Sequence, residues 1–244
     1  MRRTVLVSTL LVAVLAAAPQ MAAADTLFGG NIGAFVPRGL DGRTNGDVLA
    51  ENLTFRTFYD DDFDQDPIHK LFTNVTFGGE VLFGLGDFLE AGVGVNYFQS
   101  IERDSYYSDF TDTDGTEIIQ TTQFRVVPLS VTARAFPIGR TTPVQPYVGG
   151  GVNFYRWHYK EAGEFIDFSD DSLPVFSDEF EDDGSAVGAV FLAGVRFPVG
   201  KTVLVGGEWR WQNGSADLHP ELNFAGDKLD LGGNTLVATV HFKF

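Results

Sequence analysis

The stretch LVATVHFKF, residues 236–244, alternates apolar and polar side chains up to the last residue of the chain. Its apolar positions share one parity: Leu236, Ala238, Val240, Phe242 and Phe244. In a β-strand these residues lie on one face. The ends of water-soluble domains usually fray into solvent, so we expect this apolar face to meet something other than water.

The same two-residue period recurs in eight segments of the chain. Residues 88–99 (FLEAGVGVNYFQ), for example, set Leu89 and Val93 on the face opposite Glu90. The eight segments lie near residues 27–36, 71–84, 88–101, 120–137, 144–159, 185–198, 202–213 and 229–244. The first is the shortest, and residues 53–59 (LTFRTFY) offer it a strand-like extension.

The connections between these segments alternate between short and long. The short ones lie near residues 85–87, 139–143 and 199–201, and the long ones near 37–70, 102–119, 160–184 and 214–228. This asymmetry is typical of transmembrane β-barrels, which have an even number of strands, short periplasmic turns and long extracellular loops. The sequence therefore predicts an all-β fold, an eight-stranded antiparallel up-and-down transmembrane barrel.

A membrane requires a closed sheet, because hydrocarbon offers no hydrogen-bond partner to an open strand edge. Aromatic residues near the two ends of the strands predict girdles at the two membrane interfaces. The group near the long loops comprises Tyr97, Tyr155, Trp157, Trp209 and Trp211. The group near the short turns comprises Phe83, Phe88, Phe136, Phe197, Phe242 and Phe244.

The alternative is a soluble, lipocalin-like barrel with an apolar interior and a polar exterior. Alternation alone does not distinguish the inside of a barrel from its outside. The polar face of these segments, however, is made of Gly, Asn, Thr, Ser, Glu and Arg with almost no Lys, whereas water-facing strands are usually rich in Lys. Small polar residues suit the crowded interior of a narrow barrel, which favours the membrane protein.

The N-terminal residues have the pattern of a secretory signal peptide. Two arginines precede an apolar run over residues 5–18, and an A-x-A site ends at Ala24. The apolar run is short for the alternative, an uncleaved membrane anchor. We predict a signal peptide at residues 1–24 and a barrel domain at residues 25–244.

Four segments resemble the small eight-stranded outer-membrane β-barrels of bacteria, the family of OmpA-, OmpX- and OmpW-like proteins. They are GGNIGAFVPR (29–38), VPLSVTARAFPIG (127–139), PYVGGGVNFY (146–155) and the terminal VHFKF. The resemblance implies a monomer in the outer membrane of a Gram-negative-type bacterium, with extracellular long loops. Phe244 resembles the assembly signal that the outer-membrane insertion machinery recognises. Because family members are anchors, adhesins or narrow conduits for small hydrophobic molecules, we expect a structural, surface-interaction or adhesive role, with the conduit as the alternative.

Six ionisable residues of the inward parity lie in the middle of the predicted strands: Glu80, Glu90, Glu208, Arg134, Arg196 and Arg210. The interior of an eight-stranded barrel is just wide enough to be filled by side chains. Partly desolvated charges persist there only when they are paired and hydrogen-bonded. We therefore predict a structural Glu–Arg network that plugs the lumen.

No residue pattern indicates catalysis. A lipid-modifying enzyme embedded in the barrel would need a nucleophile and a base near the outer leaflet. His241 is inward but near the short turns, and His158 has the lipid-facing parity. His69 and His219 lie in long connections, and the absence of cysteine excludes thiolate metal sites. We predict a non-enzymatic protein without catalytic residues, cofactor or metal site.

The long connections carry most of the negative charge. They hold 8, 6, 10 and 3 acidic residues in chain order, against 33 in the whole chain, and the net charge of −16 argues against a nucleic-acid partner. The stretches DDDFDQD (60–66) and DTDGTE (112–117) offer carboxylates to hard cations, but neither has the pattern of a complete EF-hand loop. We predict weak, collective binding of divalent cations that bridge to lipopolysaccharide, with a hydrated acidic canopy as the alternative.

Overall fold

The computed structural model describes residues 26–59, 66–104, 111, 115–167 and 169–244. Eight antiparallel strands form a closed barrel in the order β1-β10-β7-β6-β5-β4-β3-β2. The barrel strands are β1 Thr26–Pro37, β2 Asn74–Gly84, β3 Leu89–Asp104, β4 Gln120–Ala135, β5 Gln145–Ile166, β6 Val175–Val199, β7 Val203–Gln212 and β10 Gly233–Lys243. Two short strands, β8 Ser215–Asp217 and β9 Lys228–Asp230, pair in the last long connection. The predicted eight-stranded up-and-down barrel is confirmed, whereas the predicted signal peptide lies outside the described residues.

Strand parity gives each barrel strand an apolar outer face and a packed inner face. In β10, Leu236 and Phe242 are exposed on the outside, while Thr239 and His241 are buried inside. This division follows because successive side chains of a strand point to opposite faces. The exposed apolar side chains form a belt around the barrel, which suits a hydrocarbon environment.

The barrel closes where the first strand meets the last. Leu27 pairs with Lys243 in the antiparallel register. Beyond that pair, the amide of Phe244 donates to the carbonyl of Thr26 at 3.2 Å. The ring of Phe244 also meets that of Phe28 edge-on, with 5.5 Å between centroids. The pairing of β1 with the end of the chain therefore continues to Phe244.

Strands β5 and β6 are longer than the alternation predicts. Because β5 continues to Ile166 and β6 begins at Val175, most of the loop predicted at residues 160–184 is a two-stranded ribbon. Beyond the apolar belt the strands do not face hydrocarbon, so their outer residues need not be apolar and the alternation ends. The backbone pairing of β5 and β6 nevertheless continues. Aromatic packing supports the ribbon, since the rings of Phe165 and Phe180 meet edge-on at 5.0 Å.

The first long connection is helical. Helix α1 spans Val48–Tyr59 and helix α2 spans Pro67–Phe72, and 3₁₀ turns lie at Leu40–Gly42 and Pro220–Leu222. The strand-like extension expected at residues 53–59 is therefore wrong, and the second barrel strand begins at Asn74 rather than near residue 71.

Aspartates fix the starts of both helices. Asp66 accepts a hydrogen bond from the amide of Ile68 at 2.9 Å, and Pro67 supplies the fixed backbone angle of the first helical position. Asp47 accepts from the amide of Ala50 at the start of α1 in the same way. None of the helices in the described ranges is long and apolar enough to cross a membrane.

Candidate functional site

The structure brings the six predicted lumen residues into one ion network. They come from five strands: Glu80 from β2, Glu90 from β3, Arg134 from β4, Arg196 from β6, and Glu208 and Arg210 from β7. Glu90, Arg134, Arg196 and Glu208 are at most 2% exposed. Charges this deeply buried require close partners, because their hydration is lost.

Arg134 lies at the centre of the ion network. Its Nη2 donates to Glu80 Oε2 at 2.7 Å and to Glu208 Oε2 at 2.9 Å, and its Nη1 lies 3.7 Å from Glu90 Oε1. One planar guanidinium therefore joins carboxylates from three strands, which a point-like ammonium would do less well. The hydroxyl of Tyr147 also donates to Glu208 Oε2 at 2.9 Å.

Arg196 and Arg210 complete the pairing of the carboxylates. Arg196 makes a two-pronged contact with Glu90, with Nη1–Oε1 at 3.2 Å and Nη2–Oε2 at 2.8 Å. Arg210 donates from Nε to Glu208 and from Nη1 to Asn96 Oδ1 at 2.7 Å. Each carboxylate of the network therefore contacts at least one arginine.

Sequence reasoning missed several members of the network. Arg140 Nε lies 3.3 Å from Glu90 Oε2, although Arg140 follows β4 in a short connection. Gln145 accepts from Arg196 Nε at 2.9 Å. Tyr147 and Gln145 have the inward parity of β5, so the alternation of β5 could have predicted that they face the lumen. Arg140 lies in a turn, where no alternation predicts that its side chain enters the lumen.

Gly29 explains how His241 joins the network. The register places Gly29 between His241 on β10 and Glu80 on β2. His241 Nε2 lies 2.8 Å from Glu80 Oε1, so the two side chains meet across the glycine. A Cβ atom at Gly29 would lie 2.2 Å from His241 Cδ2. The missing side chain therefore makes room for the contact.

Apolar side chains close the lumen between the ion network and the short turns. Leu27, Leu82 and Leu204 are buried together there and form the floor of the lumen. Beside them, the ring centroid of Phe136 lies 4.6 Å from the guanidinium carbon of Arg196. Guanidinium groups stack favourably on aromatic faces, so this contact helps to hold the buried cation.

A small cavity lies between the ion network and the long-loop half of the lumen. It measures about 20 Å³ and is lined by polar groups such as Asn96 and Arg210 and by apolar ones such as Phe35 and Phe98. Such a cavity has room for about one water molecule. It is therefore too small for a passing solute.

An apolar plug, made by residues 38–59 and 66–73, fills the long-loop half of the lumen together with the last connection. The plug contributes Val48, Leu49, Leu53, Ile68 and Phe72, and the last connection contributes Ala216, Leu218, Leu229 and Leu231. They pack against wall residues of the barrel: Phe35, Phe98, Phe124, Val126, Tyr155, Trp157 and Tyr159. The centre of this part of the lumen is therefore filled by a hydrophobic core, and burial of apolar side chains closes it.

A polar clasp fixes the plug to the last connection. Asp230 is fully buried and accepts from the amide and hydroxyl of Thr44 at 2.7 and 2.8 Å and from Arg38 Nη1 at 3.2 Å. Asp47 is also fully buried, pairs with Arg43 and accepts from the amide of Asp230 at 2.6 Å. Each carboxylate thus has several donors, as a buried charge requires.

The predicted girdle residues belong to the outer face of the barrel: Tyr97, Trp209, Trp211, Phe83, Phe197, Phe242 and Phe244. Three other aromatic residues do not. Tyr155, Trp157 and Phe136 are buried inside the barrel, so their assignment to the girdles was wrong. Tyr155 and Trp157 have the inward parity of Asn153, and parity, not height along the strand, decides where a side chain points.

Three of the four histidines face carboxylates. His158 Nδ1 lies 3.6 Å from Glu181 Oε1, and His219 Nδ1 lies 2.8 Å from Asp182 Oδ1. The third is His241, in the ion network, while His69 is exposed on α2. The hydrogen bond to Asp182 and its negative charge raise the pKa of the exposed His219 above its usual value near 6.5.

The hypothesis of cation binding concerns residues that the structure only partly describes. Residues 60–65 and 112–114 lie outside the described ranges, so this hypothesis stays a prediction. Among the residues that the structure describes, no group of three or more His, Asp or Glu residues is placed to hold a metal ion.

The closed ring of eight strands, apolar outside and filled within, is the fold of the small outer-membrane β-barrels. Neither protein-family models nor curated protein sequences give a match to the chain. Among solved structures, OprG of Pseudomonas aeruginosa is 12% identical and matches 91% of this chain and 96% of its own, with a TM-score of 0.52.

Two further solved structures are similar over an equal share of the chain. Outer membrane protein W of E. coli is 15% identical and matches 91% of this chain and 98% of its own, with a TM-score of 0.38. Ail, the attachment invasion locus protein of Yersinia pestis, was solved with the heparin analogue sucrose octasulfate. It is 10% identical and matches 91% of this chain and 99% of its own, with a TM-score of 0.41. The predicted resemblance to this class of barrel is confirmed at the level of the fold.

Proposed function

We propose that the protein is a closed outer-membrane β-barrel with a structural or adhesive role at the cell surface. The filled lumen carries this proposal. The floor, the ion network and the plug occupy successive levels, and the cavity between the last two measures only about 20 Å³. A barrel without a solute path serves the cell through the surfaces it displays. We expect extracellular long connections and periplasmic short turns, the usual arrangement of such barrels.

The ribbon made by the ends of β5 and β6 is the surface best suited to contact a partner. It extends beyond the apolar belt and is held in place by packing, since Phe180 contacts Phe224 at 6.2 Å between ring centroids. Leu173 and Phe176 are exposed near its tip, among acidic residues. A partner with basic and apolar groups would complement this tip, whereas a polyanion would be repelled.

A shortened ribbon tests the adhesive role. Ile166 and Val175 are cross-strand partners, so residues 167–174 can be replaced by Asn-Gly, the preferred two-residue hairpin turn. Cells that express the shortened protein should adhere less to immobilised extracellular-matrix proteins than cells that express the natural sequence. Heat-modifiable migration on gels checks that both barrels are folded. Equal adhesion by equally folded proteins would contradict an adhesive role of the ribbon.

A second candidate function is a narrow conduit for small hydrophobic molecules. The apolar lining of the long-loop half, with Phe35, Phe98 and Phe124 in its wall, favours an apolar solute over an ion. Such a solute could enter only if the plug moved. Faster equilibration of a small hydrophobic dye across liposomes that contain the barrel, relative to protein-free liposomes, would favour this function over the structural one.

We propose no catalytic role and no cofactor. The chemistry of the lumen supports this, because its histidine and its carboxylates are engaged with one another and with arginines. The predicted roles of Phe244 in assembly and of the aromatic girdles at the membrane interfaces remain part of the same proposal, as do the monomeric state and the lipopolysaccharide environment.

A further inference from the structure

Basic side chains are grouped on the outer wall of the barrel near its long-loop end. They lie on three adjacent strands, β3 to β5: Arg103, Arg125, Arg156, His158 and Lys160. The outer positions nearest the same end of β1, β2, β7 and β10 are uncharged: Val36, Val75, Trp211 and Asn234. Positive charge on this part of the wall is therefore concentrated on one side of the barrel.

Arg125 is the central residue of this group. The register places it between Gln99 on β3 and His158 on β5. Together with Arg156 and His158, it lines a depression of about 260 Å³ in the outer wall. Arg125 is half-buried and forms no salt bridge within the described part of the chain. A half-buried cation without a carboxylate partner suggests that an external anion completes the site.

Two acidic residues of β6, Glu181 and Asp183, also line this depression, and each faces one of the other bases. Lys160 Nζ lies 2.8 Å from Glu179 Oε1, and Arg156 contacts Asp183. Glu181 is 3.6 Å from the imidazole of His158, as described above. The carboxylates of these pairs are each more than half exposed, and exposed pairs contribute little and exchange partners easily. They hold the bases in place and leave the charge of Arg125 unpaired.

The height of Arg125 on the wall identifies the kind of anion. Towards the short turns, the next outer residues of β4 are Val127, Leu129 and Val131, and Val131 is 48% exposed. On β5, Phe154 lies directly below Arg156 and is also exposed. The depression therefore lies at the upper edge of the apolar belt, where the phosphates of membrane lipids meet the hydrocarbon layer.

We propose that this rim site binds a phosphate group of an anionic lipid in the outer leaflet, the phosphorylated glycolipid lipid A. Arg125 provides the primary contact, because a guanidinium can hold two phosphate oxygens at once. Arg156 and His158 line the same depression and provide further donors when the phosphate is bound. The site rests on the proposed outer-membrane location and orientation, and it adds a direct lipid ligand to that proposal.

Lipid retention by the purified barrel tests the rim site. Native mass spectrometry of the full barrel in detergent, titrated with purified lipid A, gives the fraction that carries a bound lipid. Arg125→Gln should weaken binding about tenfold, the effect of removing one hydrogen bond to a charged group. Lys201→Gln is the matched control, because it removes the same charge at an exposed residue in the short turn before β7. It should bind lipid A as the natural sequence does.

The lipid itself provides the second arm of the test. Lipid A without phosphates should bind the natural sequence no more tightly than intact lipid A binds Arg125→Gln, because it loses the contacts to Arg156 and His158 as well. Millimolar inorganic phosphate should not replace the lipid. Binding that is equal with and without the phosphates, or equal losses in Arg125→Gln and Lys201→Gln, would overturn the rim site. Heat-modifiable migration and recovery of both variants in the outer-membrane fraction separate such a failure from a failure of the proposed location.

Discussion

The two halves of the lumen are closed by opposite chemistries. In the short-turn half, long charged side chains from the strands meet over wall glycines, as His241 and Glu80 do across Gly29. In the long-loop half, bulky wall residues pack against helices that the first connection folds into the barrel mouth. The strands, with Arg140 from one short turn, therefore make the ion network, whereas the plug needs the long connections. We therefore expect loss of the ion network to destabilise the whole barrel. We expect the plug to unfold separately, while the barrel stays folded.

The largest effect is expected from Arg134→Ala. This substitution leaves Glu80, Glu90 and Glu208 without their shared cation, so the free energy of unfolding should fall by about 3–5 kcal/mol, as for a broken buried ion pair. Urea unfolding of the barrel in lipid vesicles, followed by tryptophan fluorescence, measures the change. The control is Arg156→Ala.

The control separates the effect of losing a buried charge from the effect of losing any arginine. The side chain of Arg156 is 67% exposed and its partner Asp183 is 53% exposed, so the loss should be about 0–1 kcal/mol. If both variants lost a similar free energy of unfolding, the stability of the barrel would depend no more on the buried charge of Arg134 than on the exposed charge of Arg156.

A somewhat smaller effect, confined to the long-loop half of the lumen, is expected from Leu49→Ala. Leu49 is buried in the plug, and truncation of a buried leucine costs about 3 kcal/mol. The plug should therefore become sensitive to protease within residues 38–59 and 66–73, while the barrel keeps its heat-modifiable migration. Leu85→Ala, at an exposed leucine in a short turn, is the control and should leave the plug protected. Simultaneous loss of barrel and plug would mean that the two halves unfold as one unit.

The smallest effect concerns pH and the last connection. Because contact with Asp182 raises the pKa of His219, the contact stabilises the connection most fully below the unfolded pKa near 6.5 and is lost as the pH rises through the higher folded value. Hydrogen exchange of residues 215–230 should therefore quicken with pH beyond the intrinsic rate. Asp182→Asn should lower the NMR titration midpoint of His219 and remove this extra acceleration. An unchanged midpoint in Asp182→Asn would contradict the assignment.

The short-turn half was predictable from the sequence because strand parity fixes which side chains face inward. Glu90, Arg134 and Glu208 could be assigned to the lumen from alternation alone, although their individual contacts depend on register. The curvature of the barrel also brings Arg140 into contact with Glu90, although no periodicity of the sequence predicts this contact.

The long-loop half was much less predictable. Helix starts were visible in principle, since Asp66 followed by Pro67 is a strong N-terminal signal. Nothing local shows, however, that Leu49 and Phe72 turn into the barrel rather than towards water. That outcome depends on the size of the cavity left between wall residues such as Phe98 and Phe124, which only the assembled barrel defines.

Single-channel recording in planar bilayers tests whether the ion network and the plug together close the lumen. Barrels of the natural sequence, inserted from detergent and checked for folding by heat-modifiable migration, should give no steady conductance. The ion network fills the middle of the barrel, and the cavity above it holds about one water molecule. Large, steady channels from the unmodified protein would contradict a closed lumen and make the conduit the leading function.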